Sequence, residues 1–331
     1  MCPLLCPYFL VPKNYSIKKA GKKIEGSLQY NISPFHTIES FVQNALEQEK
    51  MGVSAMHVED MAGLMTPKVA YDLISALKTA LKIPVHLHCH CVGGMAEMSY
   101  WEAIRAGVDG IDVCVSSMAL GPGHPPMESF IASLRGTQRD PKIDLNQFKA
   151  INDSFLAVRN KYAEFATKLV GVDVACLEHQ VPGGMLTNLE RQLRAMNVES
   201  KLPQVLEEVT RVRADMGYPP LATPSSQICG AQSTVNVLTG KRYNMLSKEM
   251  CDYCKGMYGN PPGKISPELL DKALKGAQPD QTRPGARLAP GMEKAKQAAG
   301  SLARSEEDII TYALFPAVAK EYLQHKYGIQ G

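Results

Sequence analysis

The chain has 331 residues, of which 45% are hydrophobic and 21% are charged, and its formal net charge is +3. This balance is typical of a globular protein with a substantial core. The charge is spread along the sequence without a dense basic block, and no segment approaches the roughly 20 apolar residues of a membrane-spanning helix. The composition therefore predicts neither a nucleic-acid-binding protein nor an integral membrane protein.

The first twelve residues are apolar, but they are not predicted to form a signal peptide. They have no positively charged start and no small-residue cleavage site, and Pro3, Pro7 and Pro12 interrupt them. The nine cysteines are scattered and odd in number, which favours reduced thiols over a disulfide framework. The expected location is therefore the cytoplasm.

The first part of the chain repeats a strand–helix unit. Short β-like runs begin at Gly26, Ser54, Pro84 and Gly110, so their starts are 28, 30 and 26 residues apart. This spacing is typical of successive βα units with a parallel sheet. It predicts parallel strands over 26–31, 54–59, 84–90 and 110–116, adjacent in chain order. Four units do not close an eight-stranded barrel, so the pattern indicates either a half-barrel or a small open α/β sheet.

Helices are predicted between and after these strands. Thr66 followed by Pro67 is typical of an N-cap with proline at the first helical position. Gly52 and Gly107 stand where two other helices should end. From about Pro141 the pattern is mostly helical, with an amphipathic face on Leu145, Phe148, Ile151, Phe155 and Leu156 and further helices at 202–216, 224–239, 247–257 and 306–325.

The histidines of His86-Leu87-His88-Cys89-His90-Cys91 alternate along a predicted strand. Alternate strand residues share a face, so the three imidazoles should point one way and the two cysteines towards the helices. Two neighbouring imidazoles at the C-terminal end of a parallel strand can share one divalent ion, and imidazole suits Zn, Mn, Co or Fe. The alternative is a polar strand end with hydrogen-bonded histidines; we favour the metal.

Three further segments have both a structural and a chemical interpretation. Glu59 and Asp60 end a strand on opposite faces, and Asp60 could cap the following loop. Thr223 before Pro224 has the pattern of an N-cap, which the residues alone favour over catalysis. The polar turn at 178–184 either holds a loop or binds a ligand.

Six segments carry a resemblance to a known family. They are HVEDMAGLMTPKVAYDLISALK, IPVHLHCHCVGGMA, AGVDGIDVCVSSMALG, PPMES with the following Arg135-Gly136-Thr137, LEHQVPGGMLTNLERQL and PLATPSSQICGAQSTVNVLTGKRY. In order and spacing, from about Ile17 to Leu323, they resemble the carboxyltransferase domain of the oxaloacetate decarboxylase α subunit, of pyruvate carboxylase in its single-chain and split forms, and of the transcarboxylase large subunit.

The resemblance implies an α/β fold, the C-terminal half of a (β/α)8 TIM barrel followed by a mostly helical carboxyltransferase C-terminal domain. It implies an enzyme that moves a carboxyl group between biotin and a 2-oxo acid such as pyruvate or oxaloacetate. A divalent metal (Zn, Mn or Co) would polarise the keto oxygen and stabilise the enolate. His88 and His90 match the family's two histidine ligands. Thr223 matches the threonine that shuttles a proton between the enol form of the substrate and biotin.

Three features depart from the family pattern. The family's carbamylated lysine ligand stands one residue before Asp-Met-Ala-Gly, and here that position is Glu59, an anionic but shorter candidate ligand. The Asp-Thr-Thr-Leu-Arg-Asp-Gly type motif of the family's first barrel strand is absent from this sequence. No Ala-Met-Lys-Met biotin-acceptor sequence occurs either, so biotin is expected on a separate carrier.

These observations predict three regions: an atypical N-terminal segment (1–25), a partial TIM-barrel domain (26–138) and a helical domain (139–331). The expected partners are a biotin carboxyl carrier protein or domain, the N-terminal barrel half as a separate chain, other subunits of a carboxylase or decarboxylase complex, and further copies of the chain itself. Such a complex extends the expected location to the periphery of a membrane decarboxylase complex. Two alternatives stay open. One is an inactive truncated or structural subunit of such a complex, and the other is a related metal-dependent aldolase or lyase.

Overall fold

The computed structural model describes residues 17, 19–166, 171–279 and 289–329. Its sheet has four strands in the order of the chain, all parallel: β1 (Glu25–Gln29), β2 (Ala55–Asp60), β3 (Val85–Cys89) and β4 (Gly110–Ile111). The predicted parallel order is confirmed. The fourth strand is shorter than the predicted 110–116, although an isolated parallel bridge joins Cys114 to Pro126 beyond its end.

Three helices connect the strands: α1 (Ile38–Lys50), α2 (Pro67–Ala80) and α3 (Ala96–Ala106). Helix α2 begins as predicted, because the Thr66 side chain accepts a hydrogen bond from the Val69 amide and Pro67 occupies the first helical position. Helix α3 ends at Gly107, whose φ of 97° lies in the left-handed region that glycine adopts at low cost. Local capping therefore sets the ends of these helices.

The two faces of the sheet have different surroundings. Leu28, Val58 and Leu87 point towards α1–α3 and are buried in one continuous apolar cluster. Cys89 and Cys91 lie in the same cluster, as the alternation of β3 predicts. The opposite face is polar and half-buried, and it carries Ser27, Gln29, His57, Glu59, His86 and His88. The polar side chains of the strands that could bind a ligand or a metal therefore lie on the sheet face opposite α1–α3.

Helices dominate the rest of the chain to residue 280. They are α4 (Met127–Leu134), α5 (Lys149–Lys161), α6 (Cys176–His179), α7 (Gly183–Ala195), α8 (Leu202–Asp215), α9 (Ser225–Thr239), α10 (Lys248–Cys254) and α11 (Pro267–Leu274). A second apolar cluster joins α7–α11. Helix α5 forms where an amphipathic helix was predicted, but its apolar residues Ile151, Phe155 and Leu156 are exposed rather than buried.

The chain divides into two compact units, residues 1–280 and 281–331. The second unit contains α12 (Met292–Ala299), α13 (Glu306–Leu314) and α14 (Pro316–Lys326). The single helix predicted over 306–325 is therefore wrong. Pro316 has no amide hydrogen to continue α13, so it begins a new helix after Phe315 leaves the helical conformation. The predicted domain boundary at residue 138 stays a prediction.

None of the helices in the described ranges combines the length and the apolar character needed to cross a bilayer.

Candidate metal centre and adjoining cavity

The polar side chains of the sheet are aligned by strand register. Gln29 on β1 pairs with Glu59 on β2, which pairs with His88 on β3. Residues in one row of a parallel sheet project to the same side, so these three side chains share the polar face. The predicted orientation of His88 and His90 towards one site is confirmed by their ring nitrogens, since the two Nε2 atoms lie 3.2 Å apart.

Both imidazoles are oriented through their other ring nitrogen. His88 Nδ1 donates to Asp112 Oδ2 at 2.8 Å, and His90 Nδ1 donates to the Pro122 carbonyl at 2.5 Å. Because a carboxylate and a carbonyl only accept, both Nδ1 atoms carry hydrogen and both Nε2 atoms keep a lone pair in the neutral rings. Burial lowers the pKa of His90, which favours its neutral form. This is the arrangement in which metal-bound histidines are held.

Three further residues, His57, Asp112 and His124, surround the pair formed by His88 and His90. The sequence did not identify them as candidate site residues. His57 Nε2 lies 3.1 Å from Asp112 Oδ2. The contacts with His57 and His88 hold the pKa of Asp112 well below its ordinary value, and the contact with Asp112 raises the pKa of His57. His124 lies beside both candidate ligands, with ring centroids 4.0 Å from His88 and 4.3 Å from His90.

Ring nitrogens and carboxylate oxygens come together here in two groups with metal-ligand spacing. His88, His90 and His124 form one, and His57, His88 and Asp112 form the other; within each, the candidate ligand atoms lie within 4.8 Å of one another. The signal for His57 was its alternation with Glu59 on β2. His124 lies in a loop, where no periodicity identifies it.

Glu59 lies on the same side of the sheet, but its carboxylate is directed towards β1. Its carboxylate accepts hydrogen bonds from Ser27 Oγ at 2.8 Å and from Gln29 Nε2. Its distance from His57 Nδ1 is 3.7 Å. Among the described residues, neither of the two ligand groups includes Glu59. Its role as a ligand stays a prediction.

Asp60 has the structural role that the sequence offered as an alternative. It is fully buried, and its carboxylate accepts a hydrogen bond from the Met65 amide at 2.6 Å. Burial raises its pKa, while amides of the following loop oppose that rise. Asp60 therefore fixes the loop that leads from β2 to α2, on the side of the sheet away from the imidazoles.

Thr223 lines a cavity of about 430 Å³ between the sheet and the helical region. The cavity also touches Ser27 and Gln29, the two residues that bind Glu59. The prediction that Thr223 caps a helix is wrong: α9 begins at Ser225, its N-cap residue is Pro224, and no side chain caps it. The Thr223 side chain is exposed, so its hydroxyl is accessible from the cavity.

The turn predicted at 178–184 is shorter in the structure, because α6 ends at His179 and α7 begins at Gly183. Arg213 on α8 is buried and donates to Gln180 Oε1, to the Ile32 and Pro219 carbonyls and to Asn31 Oδ1. The residues that follow β1 are thereby tied to the helical region across the cavity. This favours the structural interpretation of the turn.

The fold and the site define a parallel α/β protein with a candidate metal centre at the C-terminal ends of its strands. A family profile described as "Conserved carboxylase domain" matches residues 176–330, and one described as "HMGL-like" matches residues 15–154. The two profiles together cover most of the chain, which is similar to carboxylase and carboxyltransferase subunits.

A pyruvate carboxylase subunit of Methanocaldococcus jannaschii is 43% identical over 311 residues, which are 93% of this chain and 55% of that protein. The methylmalonyl-CoA carboxyltransferase 5S subunit of Propionibacterium freudenreichii subsp. shermanii is 42% identical over 318 residues, 94% of this chain and 63% of that protein. This chain therefore spans little more than half the length of these relatives.

Solved structures show the same fold. The carboxyl transferase domain of Rhizobium etli pyruvate carboxylase with pyruvate and biocytin superposes with a TM-score of 0.92 at 28% identity, over 99% of this chain and 58% of that one. Another structure of the same domain gives a TM-score of 0.91 at 28% identity, over 96% of this chain and 57% of that one. The four-stranded parallel sheet followed by a helical region therefore matches part of a solved carboxyl transferase domain.

Proposed function

We propose that this chain contributes to carboxyl transfer between a 2-oxo acid, pyruvate or oxaloacetate, and biotin on a separate carrier. The observation that carries the proposal is the pair of Nε2 atoms of His88 and His90, 3.2 Å apart on the polar face of a carboxyltransferase-type sheet. The hydrogen bonds to Asp112 and Pro122 leave these atoms free to bind a divalent cation.

The chemistry of the residues fits a metal ion at this position. When bound, a divalent ion such as Zn, Mn or Co would withdraw charge from the keto oxygen of the 2-oxo acid. His88 and His90 hold the ion, and Asp112 orients His88. Glu59 remains the candidate ligand at the lysine position of the family, and it would have to give up its hydrogen bonds with β1 to reach the ion.

Thr223 is proposed to transfer a proton between pyruvate and biotin. In transfer from carboxybiotin to pyruvate, the N–C bond of carboxybiotin breaks and a C–C bond forms at C3 of pyruvate. The proton lost from C3 must reach the biotin nitrogen, and the Thr223 hydroxyl can accept it and donate its own. Its exposure to the cavity supports this role, because both substrates could approach it there.

The partners follow from the same chemistry. A biotin carrier protein or domain must deliver biotin to the cavity. The region of the relatives that this chain does not match is proposed to pair with the sheet, in a complex that also contains other subunits and further copies of this one. Residues 26–138 are proposed as the barrel domain and 139–331 as the helical domain, in the cytoplasm or beside a membrane complex.

The test is biotin-dependent formation of pyruvate from oxaloacetate in the presence of Zn²⁺, Mn²⁺ or Co²⁺. It is run on the purified chain alone and with the part of the Methanocaldococcus jannaschii relative that the match leaves uncovered. We expect activity in the second arm, lowered about 100-fold or more by Thr223→Ala. Thr223→Ser should retain part of it, and Thr210→Ala, an exposed threonine on α8, should leave it unchanged.

Absence of biotin-dependent pyruvate formation in both arms, with metal bound, would contradict the proposal. It would favour the alternative of an inactive or structural subunit. The lyase alternative has less support, because the matched carboxylase domain covers the helical region.

A further inference from the structure

We infer that His124 is the third ligand of the metal, so that His88, His90 and His124 form a tris-imidazole site selective for Zn²⁺ or Co²⁺. The inference concerns the metal centre on which the proposed function rests. Its test is metal binding alone, however, and it can therefore fail or succeed independently of carboxyl transfer.

The first argument is the distance between the two nitrogens of the candidate pair. Two nitrogen ligands at the usual distance from a tetrahedral zinc ion stand about 3.3 Å apart. The Nε2 atoms of His88 and His90 are 3.2 Å apart. Because each Nδ1 donates to an oxygen, both Nε2 atoms of the neutral rings carry lone pairs that repel one another at this distance. A shared cation removes that repulsion.

The second argument is the position of His124. Its ring lies against both other imidazoles, and a nitrogen of each ring lies within 4.8 Å of the others. Its Nδ1 is buried, and within the described part of the chain it has no hydrogen-bond partner. A buried polar atom without a partner is costly unless a ligand satisfies it.

The loop that carries His124 is built to hold it there. Its Pro122 carbonyl orients His90, the Gly123 carbonyl accepts from the Cys91 amide, and the His124 carbonyl accepts from the Leu120 amide. One short segment therefore orients one imidazole and supplies another, since it is fastened to the end of β3. Such support is what keeps metal ligands at fixed positions.

The other group, His57, His88 and Asp112, does not require an ion. The Asp112 carboxylate accepts a hydrogen bond from His88 Nδ1 and makes an ion-pair contact of 3.1 Å with His57 Nε2, whose geometry does not form a hydrogen bond, so attraction to the carboxylate accounts for the close approach of these residues. Within this arrangement Asp112 orients His88 from behind, and the ion is bound on the Nε2 side.

A neutral set of three imidazoles decides which metals the site prefers. Imidazole binds Zn²⁺ and Co²⁺ more strongly than it binds Mn²⁺ or Mg²⁺, because the latter two prefer oxygen ligands. Three histidines leave the fourth tetrahedral position open for water or a substrate oxygen. With Glu59 engaged by Ser27 and Gln29, the site does not depend on an anionic ligand from the lysine position.

The experiment measures Zn²⁺ affinity of the metal-free full chain by competition with a chromophoric chelator, and Co²⁺ binding by visible absorption. We expect one tightly bound Zn²⁺ per chain and a tetrahedral Co²⁺ spectrum. His124→Ala should lower the Zn²⁺ affinity by about 100-fold or more. This exceeds the loss expected when a residue that only orients a metal ligand is removed. His86→Gln is the matched control, because His86 is on β3 and pairs with Glu25 instead.

Circular dichroism verifies that each variant folds. X-ray absorption of the Zn²⁺-loaded wild type counts the imidazoles directly, so the inference is tested even if the His124 variant does not fold. Three imidazoles support it. Two imidazoles, wild-type affinity in folded His124→Ala, or no Zn²⁺ binding by the wild type would each overturn it.

Discussion

The Nδ1 atom of His88 on β3 donates a hydrogen bond of 2.8 Å to Oδ2 of Asp112, the residue that follows β4. The carboxylate fixes both the ring orientation and the tautomer of the candidate ligand. Residues with this role usually change metal affinity without contacting the ion.

Asp112→Asn should therefore lower Zn²⁺ affinity by about 10- to 100-fold, because an amide holds the His88 ring less firmly and can present a donor instead of an acceptor. The measurement is the chelator competition described above. Asp109→Asn is the matched control, since Asp109 binds Lys78 and the Val85 amide rather than a candidate ligand. An equal loss of affinity in both variants would contradict a specific role for Asp112.

Gly63→Ala should destabilise the protein and disturb the metal centre. Gly63 has a φ of +69°, and a Cβ atom there would lie 2.7 Å from the carbonyl oxygen of His90. The left-handed backbone alone costs a non-glycine residue about 1–2 kcal/mol, and the contact adds to this. Urea denaturation measures the total.

Gly240→Ala separates the two costs. Gly240 has a φ of +68°, and apart from its two chain neighbours no heavy atom of the described residues would lie within 4 Å of a Cβ atom there. It should lose only the backbone contribution of about 1–2 kcal/mol. If both variants lose the same free energy of unfolding, the contact with His90 has no energetic consequence and the loop at Gly63 adjusts freely.

Arg213→Met should be strongly destabilising. Arg213 is 4% exposed, and its guanidinium binds Asn31, Gln180 and two backbone carbonyls. Each buried acceptor left without a donor costs about 1–3 kcal/mol, so the sum should exceed about 3 kcal/mol. Arg213→Lys should recover only part of it, because an ammonium group cannot span the same acceptors.

Arg211→Met is the control for this prediction, because Arg211 is on the same helix with 61% of its side chain exposed. Its ion pairs with Glu207 and Glu208 should contribute at most about 1 kcal/mol. Comparable losses in denaturation experiments on Arg211→Met and Arg213→Met would show that the buried network does not hold the two regions together.

Stability should fall below neutral pH because of His36. Burial, followed by the positive charge of Arg213, lowers the pKa of His36 to about 4. The ring binds Ser33 Oγ at 2.6 Å and lies 5.9 Å from the Phe41 ring. Unfolding restores a pKa of about 6.5, so between pH 6.5 and 4 the unfolded state binds more protons.

Between pH 7 and pH 5, His36 should therefore reduce the free energy of unfolding by about 2 kcal/mol. His36→Gln removes this contribution, so its stability should decline less than that of the wild type over the same interval. Denaturation at both pH values provides the comparison. Parallel declines in the two proteins would mean that His36 is not buried in its neutral form.

The sequence predicted features that depend on nearby residues. Alternation placed His88 and His90 on one face and Cys89 on the other, because successive strand residues point to opposite sides. The Thr66–Pro67 pair predicted the start of α2, since an N-cap acts on amides three residues away. The spacing of the βα units also predicted the parallel order of the strands.

Only the tertiary structure brought Asp112 and His124 to the histidine pair. Asp112 is 24 residues from His88, and their contact depends on the course of the chain after β4 rather than on local pattern. The position of His124 depends on its loop, which backbone hydrogen bonds with Cys91 and Leu120 hold in place. The start of α9 beyond Thr223 was likewise missed. Contacts between distant segments depend on register and packing, which local periodicity does not encode.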